Sequence, residues 1–329
     1  SANPSFDLIS SAGAGDLRKV KSCLSRGAEV NTHSQGWRPL VYSAFYGHTH
    51  VCAYLLKKKA KVDLPNHLGF TPLSRAAREG HYNVAKLLVE NKADVNRKAG
   101  KNEDTALLFA AWAGRLRLVK YLVVKAKARV DLPSRKGDTA LIAAAYSGHL
   151  EVVRYLVEEA KANVNARNIL QDSALACAAH NNHGPTVRYL VESAKVDVNA
   201  PDSTGYSTLT RAAQQLHVEM VRYLVQDARA DVWFRDKKGQ NPRESVTAIL
   251  QARKKEGSSA TLRISGMAYE DASAVEGKSV ISYLRACEQQ IARRVANRDL
   301  NELRMLHSQV FEAIGLMERK RTATPIKPS

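Results

Sequence analysis

Cysteine is scarce in this sequence. The 329 residues hold four, Cys23, Cys52, Cys177 and Cys287, and they never form a C-x-x-C pair. A reduced intracellular compartment is the simplest reading. Long apolar runs are missing as well. No stretch of about 18 apolar residues occurs, so no membrane-spanning helix is expected, and no signal peptide is visible. The first residue is Ser1 rather than Met, as expected if a tag or a cleaved targeting peptide has been lost. Phosphate loop, dinucleotide fingerprint and nucleophile elbow are all absent, so no enzyme, cofactor or small-molecule substrate is expected. Acidic residues are outnumbered, with 32 Asp+Glu against 50 Lys+Arg and a net charge of +18. That balance points to anionic partners without choosing among RNA, DNA, acidic proteins and lipid headgroups. Residues 257–329 contribute +3 and residues 1–256 the remaining +15.

What is present is repetition. "GWRPL" (36–40), "GFTPL" (69–73), "EDTAL" (103–107), "GDTAL" (137–141), "QDSAL" (171–175) and "GYSTL" (205–209) open six segments, and "GQNPR" opens a seventh at Gly239. The steps are 33 residues once and 34 thereafter. An Ala pair follows from the second motif on, then a turn, then "VAKLLV", "LVKYLV", "VVRYLV", "TVRYLV" or "MVRYLV", and a closing "VD" or "VN" in all but the last. Helices of two or three turns are unstable alone in water, and only stacked copies bury their apolar faces. The Ala pairs allow the first helices to approach closely. Tyr54, Leu87, Tyr121, Tyr155, Tyr189 and Tyr223 are expected to stack in a second-helix layer.

From about residue 5 to 256 the chain resembles the ankyrin-repeat family. The resemblance implies an all-α solenoid of helix-turn-helix-hairpin units. An N-terminal cap spans 5–34, repeats start near 36, 69, 103, 137, 171 and 205, and a C-terminal cap covers 239–256. Two departures stand out. The family's His after Thr-Pro-Leu is missing at Val41, Ser74, Leu108, Ile142, Ala176 and Thr210. The Gly that usually ends the second helix survives only as Gly27; Lys59, Lys92, Lys127, Lys161, Lys195 and Arg229 replace it. Those bases are expected to complement the helix dipole and to form a basic row.

Beyond the repeats, 257–277 reads as a linker. Apolar residues then recur at helical spacing through Val280, Leu284, Cys287, Ile291 and Val295, and again through Leu303, Leu306, Val310, Ile314 and Met317. Two helices are expected, about 278–297 and 299–319, forming a helical hairpin or coiled-coil-like extension over 278–321, with a tail at 322–329. The pair could pack on the solenoid, bind a partner or self-associate.

His48, His81, His149, His183 and His217 share one phase of the repeat, which argues for a structural role. Cys177, His180 and His183 have metal-like spacing but no fourth ligand, so no metal site is expected. Asp104, Asp138 and Asp172 share a hairpin position and are expected to be spaced apart rather than paired.

In the ankyrin family, ligands usually meet the hairpin tips and the concave face of the first helices. Carried over by alignment, this selects a hairpin position (Trp37, Phe70, Asp104, Asp138, Asp172, Tyr206), the position before the Ala pair (Tyr42, Arg75, Phe109, Ala143, Cys177, Arg211) and the one after it (Phe45, Arg78, Trp112, Tyr146, His180, Gln214). The partner-binding set drawn from these is Trp37, Tyr42, Phe45, Tyr46, Phe70, Arg75, Arg78, Phe109, Trp112, Tyr146, His180, Tyr206 and Arg211. Aromatics and Arg dominate binding hot spots; the alternative is that several rings pack between units. On the second helices Lys86, Lys120, Arg154, Arg188 and Arg222 form a ridge, read either as a solvated face or as a phosphate-tracking surface.

The reading that follows is a non-catalytic scaffold or adaptor that binds a protein partner through its aromatic face. The alternative is a basic subunit docked on a ribonucleoprotein such as a mitochondrial ribosome, with RNA or another anionic surface along the ridge. A pathogen effector acting on host proteins would share the groove. An intracellular location is expected, cytoplasm first, with mitochondrion and nucleus as alternatives.

Overall fold

A computed structural model describes residues 4–255, 278–290 and 292–293. The chain divides into two compact units, 1–241 and 242–329.

The first unit is a stack of helix pairs. An N-terminal pair, α1 (Pro4–Gly13) and α2 (Leu17–Ser25), is followed by six repeats. These are α3 (Pro39–Phe45) with α4 (Thr49–Lys57), α5 (Pro72–Glu79) with α6 (Tyr82–Glu90), α7 (Ala106–Trp112) with α8 (Leu116–Val124), α9 (Ala140–Tyr146) with α10 (Leu150–Glu158), α11 (Ala174–His180) with α12 (Gly184–Glu192), and α13 (Thr208–Gln214) with α14 (Val218–Gln226). Among the described residues there is no strand, only isolated bridges that pin hairpins, as at Ser34–Trp37 and Arg167–Ser173. No described helix is long and apolar enough to cross a membrane.

The repeated residues explain the repeated shape. Each first helix packs on the first helix of the next repeat. Leu73, Leu107, Leu141, Leu175 and Leu209 lie buried in that layer, as do the Ala pairs. Leu55, Leu88, Leu122, Leu156, Leu190 and Leu224 do the same in the second-helix layer. A buried Leu contributes about 1.5–3 kcal/mol, so no helix of seven to nine residues stands without its neighbours. From the second repeat on, each first helix starts on a Thr or Ser whose hydroxyl accepts from the backbone N–H three residues later: Thr71, Thr105, Thr139, Ser173 and Ser207. This cap satisfies an N–H that the helix leaves unpaired.

Polar rungs join adjacent repeats. The histidines in the inter-helix turns donate from Nε2 to a carbonyl of the preceding unit: His48 to Gly13, His81 to Phe45, His149 to Trp112, His183 to Tyr146 and His217 to His180, all at 2.9–3.0 Å. The closing "VD" and "VN" residues form a second ladder. Asn31, Asp63, Asn96, Asp131 and Asn199 accept from the backbone N–H of Lys61, Asp94, Arg129, Asn163 and Asp231.

The extra residue of the 34-residue step has two sources. In the first two repeats the second helix closes with Ala60 N–H on Leu55 O and Ala93 N–H on Leu88 O. From the third repeat the closure spans one residue more, as in Ala128 to Leu122 and Ala162 to Leu156. For the step from 69 to 103, the extra residue lies instead in the hairpin closed by Ala99 and Asp104.

The basic residues that replace the helix-ending Gly do more than complement a dipole. Lys59, Lys92, Lys127, Lys161, Lys195 and Arg229 all have φ between 55° and 67°, the left-handed region. They occupy a glycine's backbone conformation with side chains exposed to solvent.

The second unit begins with α15 (Pro242–Lys255), which repeat register would count with the solenoid. A further helix, α16, covers 278–290. Val280 and Leu284 of the expected stripe are buried, and Arg243 Nε donates to the buried Glu288 at 2.8 Å, tying α15 to α16. The expected linker 257–277, helix 299–319 and tail 322–329 lie outside the described residues, as do Ile291 and Val295.

Candidate functional site

The first-helix and hairpin residues chosen from the sequence fall into three environments. The first is a ring cluster at the first repeat. Trp37 packs on Tyr42 with centroids 4.6 Å apart and on Phe45 at 5.7 Å; Tyr46 closes on Tyr42 at 5.1 Å and on Phe45 at 4.9 Å. The Tyr42 hydroxyl, bonded to Tyr46 and partly buried, is pushed above the usual phenol range. These rings support one another, so much of their area is spent on intramolecular packing.

The second environment is the interior between repeats. Phe109 is only 7% exposed and packs on Phe70 at 5.7 Å. Arg75 is buried too, with its guanidinium 3.8 Å above Phe70 and further rings of Phe45 and Trp37 at 5.5 and 5.6 Å. Arg211 is held by Asp172 at 3.4 Å and by a close contact to buried Asp202, beside the Tyr206 ring at 5.3 Å. His180 is half-buried; burial, then neighbouring Arg211, depresses its imidazole.

The third environment is an open groove of about 500 Å³ along the third, fourth and fifth repeats. Trp112 and Tyr146 stand over it, 43% and 50% exposed, and Tyr46 on the first repeat's helix is 49% exposed. These three occupy the ends of α3, α7 and α9. Arg78 lies over the Trp112 ring at 5.3 Å. Leu108, Ile142 and Ala143 form the apolar floor. Asp104, Asp138 and Asp172, one from each repeat, line the same groove. Burial and then the charge of Asp138 push Asp104 above the usual carboxylate range. Burial raises Asp172 as well, against the pull of Arg211. Cys177 lines the groove with its thiol pushed up to about 12, mainly by burial, which makes it a poor nucleophile or metal ligand.

Sequence reasoning missed the hairpin tip of the fifth repeat, where Ile169 and Leu170 are both exposed. The signal was there: "NIL" sits where the neighbouring tips read "SRK" and "DST".

On the opposite layer, the ridge cations are engaged. Lys86 lies 3.8 Å from Glu90, Lys120 3.5 Å from Glu159, Arg154 3.6 Å from Glu158 and Arg222 3.6 Å from Glu219. Lys120, Arg154 and Arg188 also sit over Tyr155, Tyr189 and Tyr223 of the next repeat, at 5.0, 5.9 and 4.2 Å. Tyr223 donates to Glu192 at 3.0 Å, and burial with this bond pushes its hydroxyl up to about 12. In these repeats the expected tyrosine layer therefore alternates with the ridge cations.

The family model for ankyrin repeats matches the chain in three copies, over residues 8–99, 97–168 and 160–236. The chain belongs to the ankyrin-repeat family. Ankyrin repeats are protein-binding modules, and the exposed rings and hairpin tip of this array lie on the first-helix and hairpin side. Two relatives share 119 residues with it. The E3 ubiquitin-protein ligase XBAT32 of Arabidopsis thaliana is 39% identical over 35% of this chain and 23% of its own length. The probable E3 ubiquitin-protein ligase XBOS32 of Oryza sativa subsp. japonica is 29% identical over 35% of this chain and 24% of its own length. The chain thus aligns with about a quarter of each of these curated relatives.

Proposed function

We propose that this ankyrin array is a non-catalytic scaffold that captures a segment of a protein partner in the groove of its third to fifth repeats. One observation carries the reading: Trp112 and Tyr146, one repeat apart, stand half-exposed above an apolar floor. Large rings held out to solvent on rigid helices have the character of binding anchors. Ile169 and Leu170 extend the apolar surface to the hairpin tip. The named relatives are ubiquitin ligases, and what is shared with them is a stretch of this repeat array, so the proposal concerns recognition and leaves ligation to those proteins. Docking on RNA through the ridge has less support, because most of its cations stand beside carboxylates of the chain itself.

The test is Trp112→Ala. Binding to a partner recovered by affinity purification should weaken about 30-fold, the equivalent of ~2 kcal/mol. The thermal midpoint should barely move, as expected of a half-exposed side chain. A large loss of stability, or unchanged binding, refutes the role of this ring.

A further inference from the structure

We propose that the second repeat holds a carboxylate-binding site in which Arg75 and Asn66 receive an acidic group of the protein partner. This deepens the partner-binding reading and rests on it. Two repeats of the same molecule differ at this point. Arg75 in the second repeat and Arg211 in the sixth occupy the same position before the Ala pair. Arg211 meets two carboxylates, that of Asp172 at the preceding hairpin position and that of Asp202 in its own hairpin turn. In the second repeat the corresponding residues are Trp37 and Asn66, neither of which carries charge.

The turn holds Asn66 and Asp202 in the same way. Asp202 Oδ1 accepts from the backbone N–H of Thr204 and Tyr206 at 2.8 and 2.9 Å. Asn66 Oδ1 accepts from Leu68 and Phe70 at 3.1 and 2.9 Å. The second atom of each group is then left over. In Asp202 it is the acceptor Oδ2, which is ion-paired with Arg211 although it makes no aligned hydrogen bond. In Asn66 the matching atom is Nδ2, a donor, where the sixth repeat offers its arginine an acceptor.

Both donors are stranded. Asn66 is 5% exposed and Arg75 8%, and neither Asn66 Nδ2 nor Arg75 Nε has a hydrogen-bond partner. Among the described residues no carboxylate lies within ion-pair distance of Arg75. The three rings around it attract its charge but offer no lone pair to its N–H groups. Of its nitrogens only Nε is sealed from solvent, so the terminal pair remains approachable. Phe70, stacked at 3.8 Å, covers the way to Nε. Burial pushes the guanidinium down and neighbouring Arg78 adds to that, against the pull of Glu79, which lies beyond ion-pair distance.

A carboxylate can answer the charge through the terminal nitrogens as the structure stands, and reaches Nε and Asn66 Nδ2, both sealed from solvent, once the Phe70 ring moves aside. It brings one negative charge, and its two oxygens can accept in parallel from a planar fork of donors. Water would satisfy the amide and leave the cation unpaired.

The experiment grafts the sixth repeat's solution onto the second, with Asn66→Asp in the full chain. The new carboxylate should pair with Arg75 and raise the thermal midpoint by about 2–4 °C. In the unmodified chain labelled with ¹⁵N-arginine, the Arg75 Nε–H resonance is identified by its loss in Arg75→Lys. It should shift on titration with Nα-acetyl-glutamate amide, while that of the already paired Arg211 stays in place. In Asn66→Asp the shift should vanish. Nα-acetyl-glycine is the second arm: a larger shift from it assigns a chain terminus as the source, a smaller one an acidic side chain, and either supports a carboxylate site. A larger shift from inorganic phosphate, no shift at Arg75, or an undiminished shift in Asn66→Asp overturns the proposal. Unchanged partner binding in Trp112→Ala, with the Arg75 shift intact, would overturn the groove reading alone.

Discussion

Restoring glycine at the row of left-handed lysines should stabilise the protein, contrary to the intuition that a base belongs at a helix C-terminus. The perturbation is the triple variant Lys127→Gly, Lys161→Gly, Lys195→Gly. Each of these residues has φ between 55° and 57° and an exposed side chain. The left-handed conformation costs an L-residue about 1–2 kcal/mol. Glycine removes that cost but loses about 0.5–1 kcal/mol of backbone entropy on folding. Loss of the dipole interaction subtracts about 0.3 kcal/mol more. The balance is a gain of about 0.5 kcal/mol per site, and the sites lie one repeat apart, so about 1.5 kcal/mol in total. Urea unfolding followed by helical circular dichroism should show a higher midpoint with an unchanged slope. Gly27 supplies the reverse experiment. Its φ is 90°, and a Cβ added there would meet nothing within 4 Å. Gly27→Ala therefore isolates the backbone cost from any clash, and it should lower the midpoint. A triple-glycine variant less stable than the parent, or a stabilising Gly27→Ala, would show that lysine charge outweighs backbone strain here.

Two further outcomes follow from burial. Phe109→Ala should cost about 3–5 kcal/mol in urea unfolding, because the ring is enclosed against Phe70; a loss below ~1 kcal/mol would return Phe109 to the binding face. Asp104→Asn should be stabilising at pH 7. Its carboxyl is raised in the folded state, so the contribution of the protonated form is fully present below the unfolded value and lost as pH rises through the folded one. The variant's advantage should therefore shrink as pH falls towards 4, and an advantage independent of pH would contradict the electrostatic cause.

The solenoid was legible in the sequence because its short helices cannot stand alone. Leu107, Leu141 and Leu175 had to recur at one phase, and Thr105, Thr139 and Ser173 had to recur just before each first helix. The histidines were legible for the same reason, although their carbonyl partners in the preceding repeat were not. The binding face was less so. Phe109 and Trp112 lie three residues apart on one short helix, and both resemble contact residues. One is enclosed because Phe70 from the preceding hairpin covers it, a contact made between units that no single repeat encodes. Arg75 and Arg211 hold the same position with opposite surroundings, since their partners come from hairpins 39 and 9 residues away in one case and are replaced by rings in the other. The lysine row was half legible for a different reason: its charge is visible in the sequence, but its backbone angle is not.

The histidine rungs are not continuous. In the third repeat Arg115 occupies the turn, its side chain lying against Gly80, and it makes no bond to the preceding unit's carbonyls. The junction between the second and third repeats keeps the bond from Gly100 N–H to Gly69 O and the one from Arg129 N–H to Asn96. It lacks the third clasp found at its neighbours. Rings take over where that polar clasp is missing: Phe70 on Phe109, Tyr82 on Tyr121, Arg78 over Trp112 and Arg117 over Tyr82 all cross this junction, so the spine changes there from hydrogen-bonded stitching to stacked side chains.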